Sequence, residues 1–233
     1  MKNICAVIIL FLSLSGSAQY LDDAQLWLNL DLEKKLNDKF DLMLSLKGRG
    51  TDNVTHFGRG AVDVGIAYKV NKHIKLMADY VFIQKKRKSD SYNTQHQYYL
   101  AAILKKNIGK WQFSYRNKFQ CRYKSINSSD MGYIPYFYDR NKLTIKYEAT
   151  KRFTYYVAEE VYTPLNNPQI KGLSRSRSYV GALIKTVKKQ YLELYFLYQV
   201  QLQNGDWYDQ DDHYYFDPLK RNFVYGVGYS IEF

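Results

Sequence analysis

Alternation of apolar and polar residues with a period of two runs through almost the whole chain and limits its fold more than any other feature. In the stretch 111–124, WQFSYRNKFQCRYK, aromatic residues alternate with charged or polar ones. Because successive side chains of a β-strand point to opposite faces, this period predicts strands. The same alternation recurs in the stretches 26–32, 40–46, 62–70, 192–202 and 223–233.

The predicted strands are long. The stretches 111–124, 191–202 and 222–233 exceed the usual strand of soluble proteins, which has about 5–6 residues. A strand that crosses a membrane needs about 9–11 residues. Aromatic residues make up 17% of the chain, with 24 tyrosines, which suits the aromatic girdles at membrane interfaces. The sequence therefore predicts an all-β fold, a single antiparallel transmembrane β-barrel.

The connections between the predicted strands alternate in length. Short basic turns are predicted near 37–38, 71–72, 107–109, 150–151 and 188–189. Longer polar segments are predicted at 48–58, 86–94, 125–135, 163–174 and 203–221. Short periplasmic turns on one rim and longer outer loops on the other are typical of an outer-membrane barrel.

The predicted strand count does not determine how the barrel closes. The pattern gives eleven strands, whereas single-chain bacterial barrels have even numbers. We expect 10–12 strands and favour twelve. A strand near 19–24 could have escaped detection, the first strand could pack elsewhere, or the first and last strands could pair in parallel.

The two ends of the chain predict export and assembly. Lys2, the apolar run 4–14 and the small residues up to Ala18 are typical of a cleavable signal peptide over 1–18. The barrel domain is then 19–233, and the expected location is the outer membrane of a Gram-negative cell. The end GYSIEF, with Gly228, Ile231 and Phe233, is similar to the C-terminal assembly signal of outer-membrane barrels. Gly226 departs from that signal, which has a polar residue there.

An ordered series of segments resembles one family. The segments are LWLNLDLEKKLNDKFDL, DVGIAYKVNKHIKLMADYVF, IGKWQFSYRNKFQCRYK, DRNKLTIKYEATKRFTYYVAEEVY, SRSRSYVGALIK, LELYFLYQVQ and GVGYSIEF. Together they resemble the uncharacterised Bacteroidota outer-membrane family known as domain of unknown function 2490. The resemblance implies an outer-membrane barrel, and it implies no activity because the family has none assigned.

The inward face is predicted to be charged, which leaves a filled barrel or a narrow solute pore as the two main functions. Buried charges that pair with one another would fill the interior. A basic wall opposite an acidic wall would instead favour small, anionic solutes. The predicted lumen-lining residues are Arg116, Lys118, Arg122, Arg140, Lys142, Lys146, Asp63, Asp79, Glu160 and Glu193. In AEEV one of Glu159 and Glu160 must face the wrong side or mark a bulge.

A lipid-modifying hydrolase is the alternative function. Outer-membrane hydrolases with a Ser–His pair have serine two residues after the histidine, and here those positions hold Gly58, Lys75, Tyr98 and Tyr215. The acidic run DWYDQDDHYYFD, 206–217, matches no calcium-loop spacing. We therefore predict no catalytic residue, no metal site and no cofactor.

The predicted partners follow from charge and location. The formal net charge is +12, and an exported basic protein meets anionic lipid rather than nucleic acid. Lys85, Lys86, Arg87 and Lys88 at the outer end of a strand are candidates for binding lipopolysaccharide phosphate. The barrel-assembly machinery is the other expected partner, and the oligomeric state is left open.

Overall fold

Eleven long strands form one closed barrel in the computed structural model. The structure describes residues 20–86, 91–123, 135–167, 170, 172–203, 207–208, 214–215 and 219–233. The predicted signal peptide, 1–18, lies outside them. Among the described residues, no helix has the length and apolarity to cross a membrane.

The strands have 11 to 17 residues, apart from two short ones that pair only with each other. The barrel strands are β1 (Tyr20–Lys35), β2 (Phe40–Thr51), β3 (His56–Lys69), β4 (Ile74–Lys86), β5 (Tyr92–Ile108), β6 (Trp111–Tyr123), β7 (Tyr136–Glu148), β8 (Phe153–Pro164), β9 (Arg175–Lys185), β10 (Gln190–Gln201) and β13 (Leu219–Glu232). The short pair is β11 (Trp207–Tyr208) and β12 (Tyr214–Tyr215).

Barrel closure uses a parallel pair. β1 pairs with β13 in parallel from Tyr20↔Leu219 to Glu33↔Glu232, and every other neighbouring pair is antiparallel. The count of eleven lies within the expected range and differs from the favoured twelve. An odd number of alternating strands leaves two edges that run in the same direction, so the barrel can close only through a parallel seam. The residues near 19–24 provide no extra strand, because 20–24 extend β1.

The short turns lie on one rim, as the sequence indicated. They are 36–39, 70–73, 109–110, 149–152 and 186–189. The opposite rim has a shorter connection than expected at 48–58, because both strands continue through this polar stretch and leave only the turn 52–55. Asp52, Asn53 and Val54 all have left-handed φ there. Asn53 ties this turn to β1, because its amide N–H donates to Asp23 Oδ1 at 2.9 Å.

The two faces of the sheet have opposite chemistry. The outward face exposes apolar side chains along most of the barrel, such as Leu100 at 62% and Tyr225 at 60%. The inward face is polar, with small apolar clusters inside the lumen. One cluster joins Trp27, Leu197 and Val224 from three neighbouring strands. The packed core of this fold is therefore the lumen itself.

Candidate functional site: the barrel lumen

One carboxylate in the lumen organises a group of arginines. Glu160, on β8, is 1% exposed. Arg116 Nη2 donates to Glu160 Oε1 at 2.7 Å, and Arg140 Nη2 donates to the same oxygen at 2.9 Å. Arg177 Nη1 lies 3.5 Å from Glu160 Oε2. Since Arg116 reaches across β7 to Glu160, both side chains must point into the lumen.

Hydroxyl and amide groups complete this cluster. The hydroxyls of Tyr162 and Tyr179 donate to Glu160 Oε2 at 3.2 and 3.3 Å. Arg140 Nη1 donates to Gln120 Oε1 at 2.8 Å, and Arg177 Nε donates to Gln199 Oε1 at 2.7 Å. A buried charge is tolerated when it is paired and its remaining hydrogen bonds are made. The cluster therefore gives Glu160 a dense shell of donors.

Trp27 extends the cluster across the lumen. The Arg49 guanidinium lies 3.7 Å from the centroid of the Trp27 ring, and that of Arg177 lies 5.2 Å from it. Trp27 Nε1 donates to Gln25 Oε1 at 2.8 Å, which fixes the ring on β1. Trp27, Arg177 and Glu160 are each at most 7% exposed. These three side chains and their partners form a constriction.

Four arginines line the lumen next to the long-loop rim. Arg49 and Arg122 lie near the ends of their strands, and Arg59 and Arg175 near the starts of theirs. All four are partly exposed. Among the described residues none of them forms an ion pair with a carboxylate. Arg175 precedes Arg177 on the same face of β9, and Arg177 pairs in register with Glu160. This arginine layer therefore reaches from Arg49, against Trp27 of the constriction, to Arg175, which lies nearer the long-loop rim.

Acidic side chains occupy the opposite wall, on β3 and β4. Asp63 is 5% exposed and accepts from Lys47 Nζ at 2.6 Å and from the Tyr99 hydroxyl at 2.7 Å. Asp79 is 8% exposed, and its Oδ2 is buried without a hydrogen bond. Gly65 leaves the space that the Asp79 carboxylate occupies, since a Cβ there would overlap it. Lys118 Nζ lies 3.5 Å from the Tyr99 ring centroid, which joins this wall to β6.

Ion pairs also fill the lumen near the short-turn rim. Asp41 is 1% exposed and accepts from Lys69 Nζ at 2.6 Å. Lys75 Nζ lies 3.6 Å from Asp41 and donates to Glu33 Oε1 at 3.2 Å. These two acids and two bases pair with one another, in contrast to the arginine layer at the other end.

The ten residues that the sequence assigned to the lumen all lie on the inward face. They divide between the constriction, the acidic wall and the remaining lumen surface. Glu193 accepts from the Tyr156 hydroxyl at 2.6 Å across β9. Arg122 donates to Gln97 Oε1, and Lys142 lies over the Tyr179 ring. Lys146 follows Lys142 on the same face of β7.

The side chains of the AEEV segment, 158–161, alternate regularly between the two faces of β8. The pairing of β8 with both neighbours runs through Glu159 and Glu160 without a register shift. Glu160 faces the lumen and Glu159 faces outward, where it accepts a hydrogen bond from Ser176 Oγ. The segment therefore contains an outward-facing carboxylate, Glu159, rather than a bulge.

The other predicted sites lie at the rims. Lys85 and Lys86 end β4, whereas Arg87 and Lys88 lie outside the described residues. Gly228 faces the lumen beside Glu193, and Ile231 lies near the end of β13. Phe233 is 61% exposed at the short-turn rim, and its amide N–H donates to Glu33 O at 2.8 Å.

Several lumen residues were not among the predicted set. Trp27, Arg49 and Arg59 contribute to the constriction or the arginine layer. Arg49 falls in the stretch 48–58 that was expected to be a loop, and Arg59 follows directly after it, which hid their strand alternation. The alternation of LWLNLDL could have identified Trp27, because Trp27 lies on the strand face opposite the outward leucines.

The described residues contain neither a hydrogen-bonded Ser–His pair nor a group of side chains that could hold a metal ion. Among them, no three His, Cys, Asp or Glu side chains are placed to hold a metal ion. Of the histidines they include, none is hydrogen bonded to serine: His56 contacts Thr55, His73 contacts the Lys105 carbonyl, and His96 contacts the Tyr80 hydroxyl. Most of the acidic run 206–217, including His213, lies outside the described residues.

A closed barrel with a charged lumen is thus the class of protein that the geometry defines. The family model described as "Protein of unknown function (DUF2490)" matches residues 24–210, and the chain belongs to this family. No curated protein matches the chain. A solved structure, the NanC porin in a rhombohedral crystal form, is similar in fold with a TM-score of 0.50. Its sequence is 12% identical, and the match covers 91% of this chain and 99% of that one.

Proposed function

We propose that this protein is an outer-membrane β-barrel whose lumen attracts small anionic solutes to a narrow constriction. The observation that carries the proposal is the arginine layer, Arg49, Arg59, Arg122 and Arg175, which has no carboxylate partner among the described residues. The length of the strands, the apolar outward face and the fold likeness to a porin support the membrane location.

The physical basis is the separation of charge along the lumen. Glu160 neutralises part of the constriction, and near the short-turn rim Lys69 and Lys75 pair with Asp41 and Glu33. No described carboxylate pairs with the arginine layer, and the low-dielectric walls around it concentrate its field. An anion that enters from the long-loop rim would exchange part of its hydration for guanidinium donors.

A closed, structural barrel is the second candidate. The burial of Glu160, Trp27 and Arg177 favours it, because side chains fill the lumen at their level. In this case the arginine layer would form a blind, anion-binding vestibule rather than the entrance to a pore.

Planar-bilayer conductance of the refolded full chain separates the two candidates. We expect heat-modifiable insertion and a small, steady conductance whose reversal potential in a salt gradient indicates anion preference. Insertion without conductance would reject the pore in favour of the closed barrel. Failure to insert would reject the membrane location itself.

Substitution of the arginine layer tests the origin of selectivity. The triple variant Arg49→Gln, Arg59→Gln and Arg175→Gln should move the reversal potential towards that of a non-selective pore. The matched control is Arg221→Gln, because Arg221 lies at the same rim and pairs with Asp22 at 2.7 Å on the outward face. Equal shifts in both variants would contradict selection by the lumen arginines.

A further inference from the structure

Exposed lysines surround the barrel at the short-turn rim. Each of the five short turns carries at least one, and all five turns lie among the described residues. We define the basic ring as the six exposed lysines on these turns: Lys39, Lys72, Lys110, Lys151, Lys188 and Lys189. Because the turns follow one another around the closed sheet, the basic ring extends around most of its circumference.

The carboxylates at this rim do not neutralise the basic ring. Asp38 pairs with a lysine of β1 at 2.6 Å, and Asp41 and Glu33 pair with lysines inside the lumen. Glu148 and Glu232 end their strands at positions that follow the inward face in the alternation. Among the described residues no carboxylate forms an ion pair with a lysine of the basic ring. The outer edge of this rim therefore carries an excess of positive charge.

Aromatic side chains define the depth of the basic ring in a membrane. Lys39 directly precedes Phe40, and Lys110 directly precedes Trp111. Both aromatic side chains are exposed on the outward face, and each packs against a tyrosine of the next strand, with ring centroids 5.0 and 4.7 Å apart. Outward aromatic rings at strand ends occupy the boundary between lipid tails and headgroups. The lysines on the turns directly beyond these rings therefore lie at the level of the headgroups.

We propose that the basic ring binds the headgroup phosphates of anionic phospholipids. This inference rests on the proposed outer-membrane location, in which the short-turn rim is periplasmic and the lipids are those of the inner leaflet. Long lysine stems allow the ammonium groups to reach phosphates while the neighbouring aromatic rings stay at the apolar boundary. Exposed cations without carboxylate partners are attracted to an anionic lipid surface.

The distribution of charge favours lipid over a protein partner. A protein docked on one side of the rim would contact the lysines of only some turns, whereas headgroups surround the barrel on every side. Lys34 and Lys106 extend the positive charge from the turns to the outward face. They are exposed and pair in register with the outward residues Leu42 and Phe113. Cations in these positions meet the lipid beside the barrel.

Quenching of tryptophan fluorescence by brominated lipids tests the proposal. The chain has three tryptophans, so Trp27→Phe with Trp207→Phe leaves Trp111, next to Lys110, as the reporter. The full chain would be refolded into vesicles of phosphatidylglycerol and phosphatidylcholine, with bromine on one lipid or the other. We expect an association constant about fivefold higher for phosphatidylglycerol, the preference that one lysine near an anionic surface supplies. High salt should reduce this preference.

Two matched pairs of lysines locate the contact. Lys106→Gln with Lys110→Gln removes the charges that flank the reporter turn, and it should bring the two association constants close to equality. The control, Lys34→Gln with Lys39→Gln, removes the same charge from the corresponding positions of the β1–β2 turn. It should leave the preference at Trp111 unchanged, because that turn lies farther along the rim than exposed charges act in salt.

Equal quenching by the two lipids in an inserted, heat-modifiable barrel would overturn the proposal. Equal losses from the two lysine pairs would also overturn it, because they would reflect net charge instead of local contact. Sedimentation with purified peptidoglycan that depends on these lysines, without any lipid preference, would assign the basic ring to that polymer instead. Absence of quenching by either lipid would show that the chain is not inserted, which would reject the membrane location and the lipid contact with it.

Discussion

Glu160 is the buried carboxylate on which the charge balance of the constriction depends. Its two oxygens face three guanidinium groups, and two tyrosine hydroxyls complete its shell. Removing one partner of a buried ion pair leaves the other charges uncompensated, which costs more than the pair itself contributes. The stability of the barrel should therefore depend on this carboxylate.

We expect Glu160→Gln to destabilise the barrel by about 3–5 kcal/mol, because it leaves the arginines to repel one another. Urea unfolding of the barrel refolded in lipid vesicles measures this change. The control is Glu159→Gln, which removes the neighbouring charge on the outward face. A similar loss of stability in both variants would show that the lumen cluster has no special role.

At the residue scale, alternation correctly predicted the orientation of most charged residues. It identified Arg116, Lys118 and Asp63 as inward because they stand opposite apolar neighbours on long strands. It assigned Glu160 to the lumen, although adjacent acids give the pattern itself no preferred face. Only the registers of β7 and β9 against β8 resolve that choice, and they depend on residues distant in sequence.

At the element scale, β13 has a packing requirement that the terminal sequence pattern did not suggest. Gly226 stands where the assembly signal of outer-membrane barrels has a polar residue. The ring of Tyr195, on the neighbouring β10, covers this glycine so closely that a Cβ would overlap it. The departure therefore has a structural cause, in which an aromatic ring fills the space that the missing side chain leaves.

Gly226→Ala should destabilise the barrel by about 1–3 kcal/mol, because the methyl group must displace the Tyr195 ring. Gly228→Ala is the matched control, since its Cβ would approach the flexible Glu193 side chain at 3.2 Å instead. The temperature at which each variant loses its heat-modifiable mobility in gels measures the difference. Equal temperatures would argue against tight ring packing on Gly226.

Elements were predicted well where turns are short and basic. The turns near 37–38 and 71–72 end strands because Asn37 and Asn71 accept backbone hydrogen bonds from the residues that follow them. The stretch 48–58 was not recognised as strand, because its glycines and charged residues are typical of loops. Its pairing across β2 and β3 outweighs that local composition.

At the scale of the whole molecule, the parallel seam distinguishes this barrel from the even-stranded pattern. Leu28 on β1 and Val227 on β13 are register partners and both face outward. Neighbouring strands lie about 4.8 Å apart, within the range that a disulfide can bridge. A twelfth strand between β1 and β13 would separate the two residues beyond that range.

The double variant Leu28→Cys and Val227→Cys, made with Cys121→Ser, should therefore form an intramolecular disulfide on mild oxidation. Faster gel migration without reductant would report it. Leu28→Cys with Phe223→Cys is the control, because Phe223 lies four positions along the same strand and out of register. Failure of the in-register pair, with the barrel folded, would contradict the parallel closure.

The seam also sets the order of events in folding. All other neighbouring barrel strands follow one another along the chain or are joined by a single loop, so they can pair as hairpins soon after both are available. The seam joins groups 199 positions apart, such as Asp22 and Arg221. Contacts of such long separation carry the largest loop-closure entropy and form slowly. Until β13 pairs with β1, the growing sheet has two open edges, so closure is the step that a folding catalyst would accelerate most.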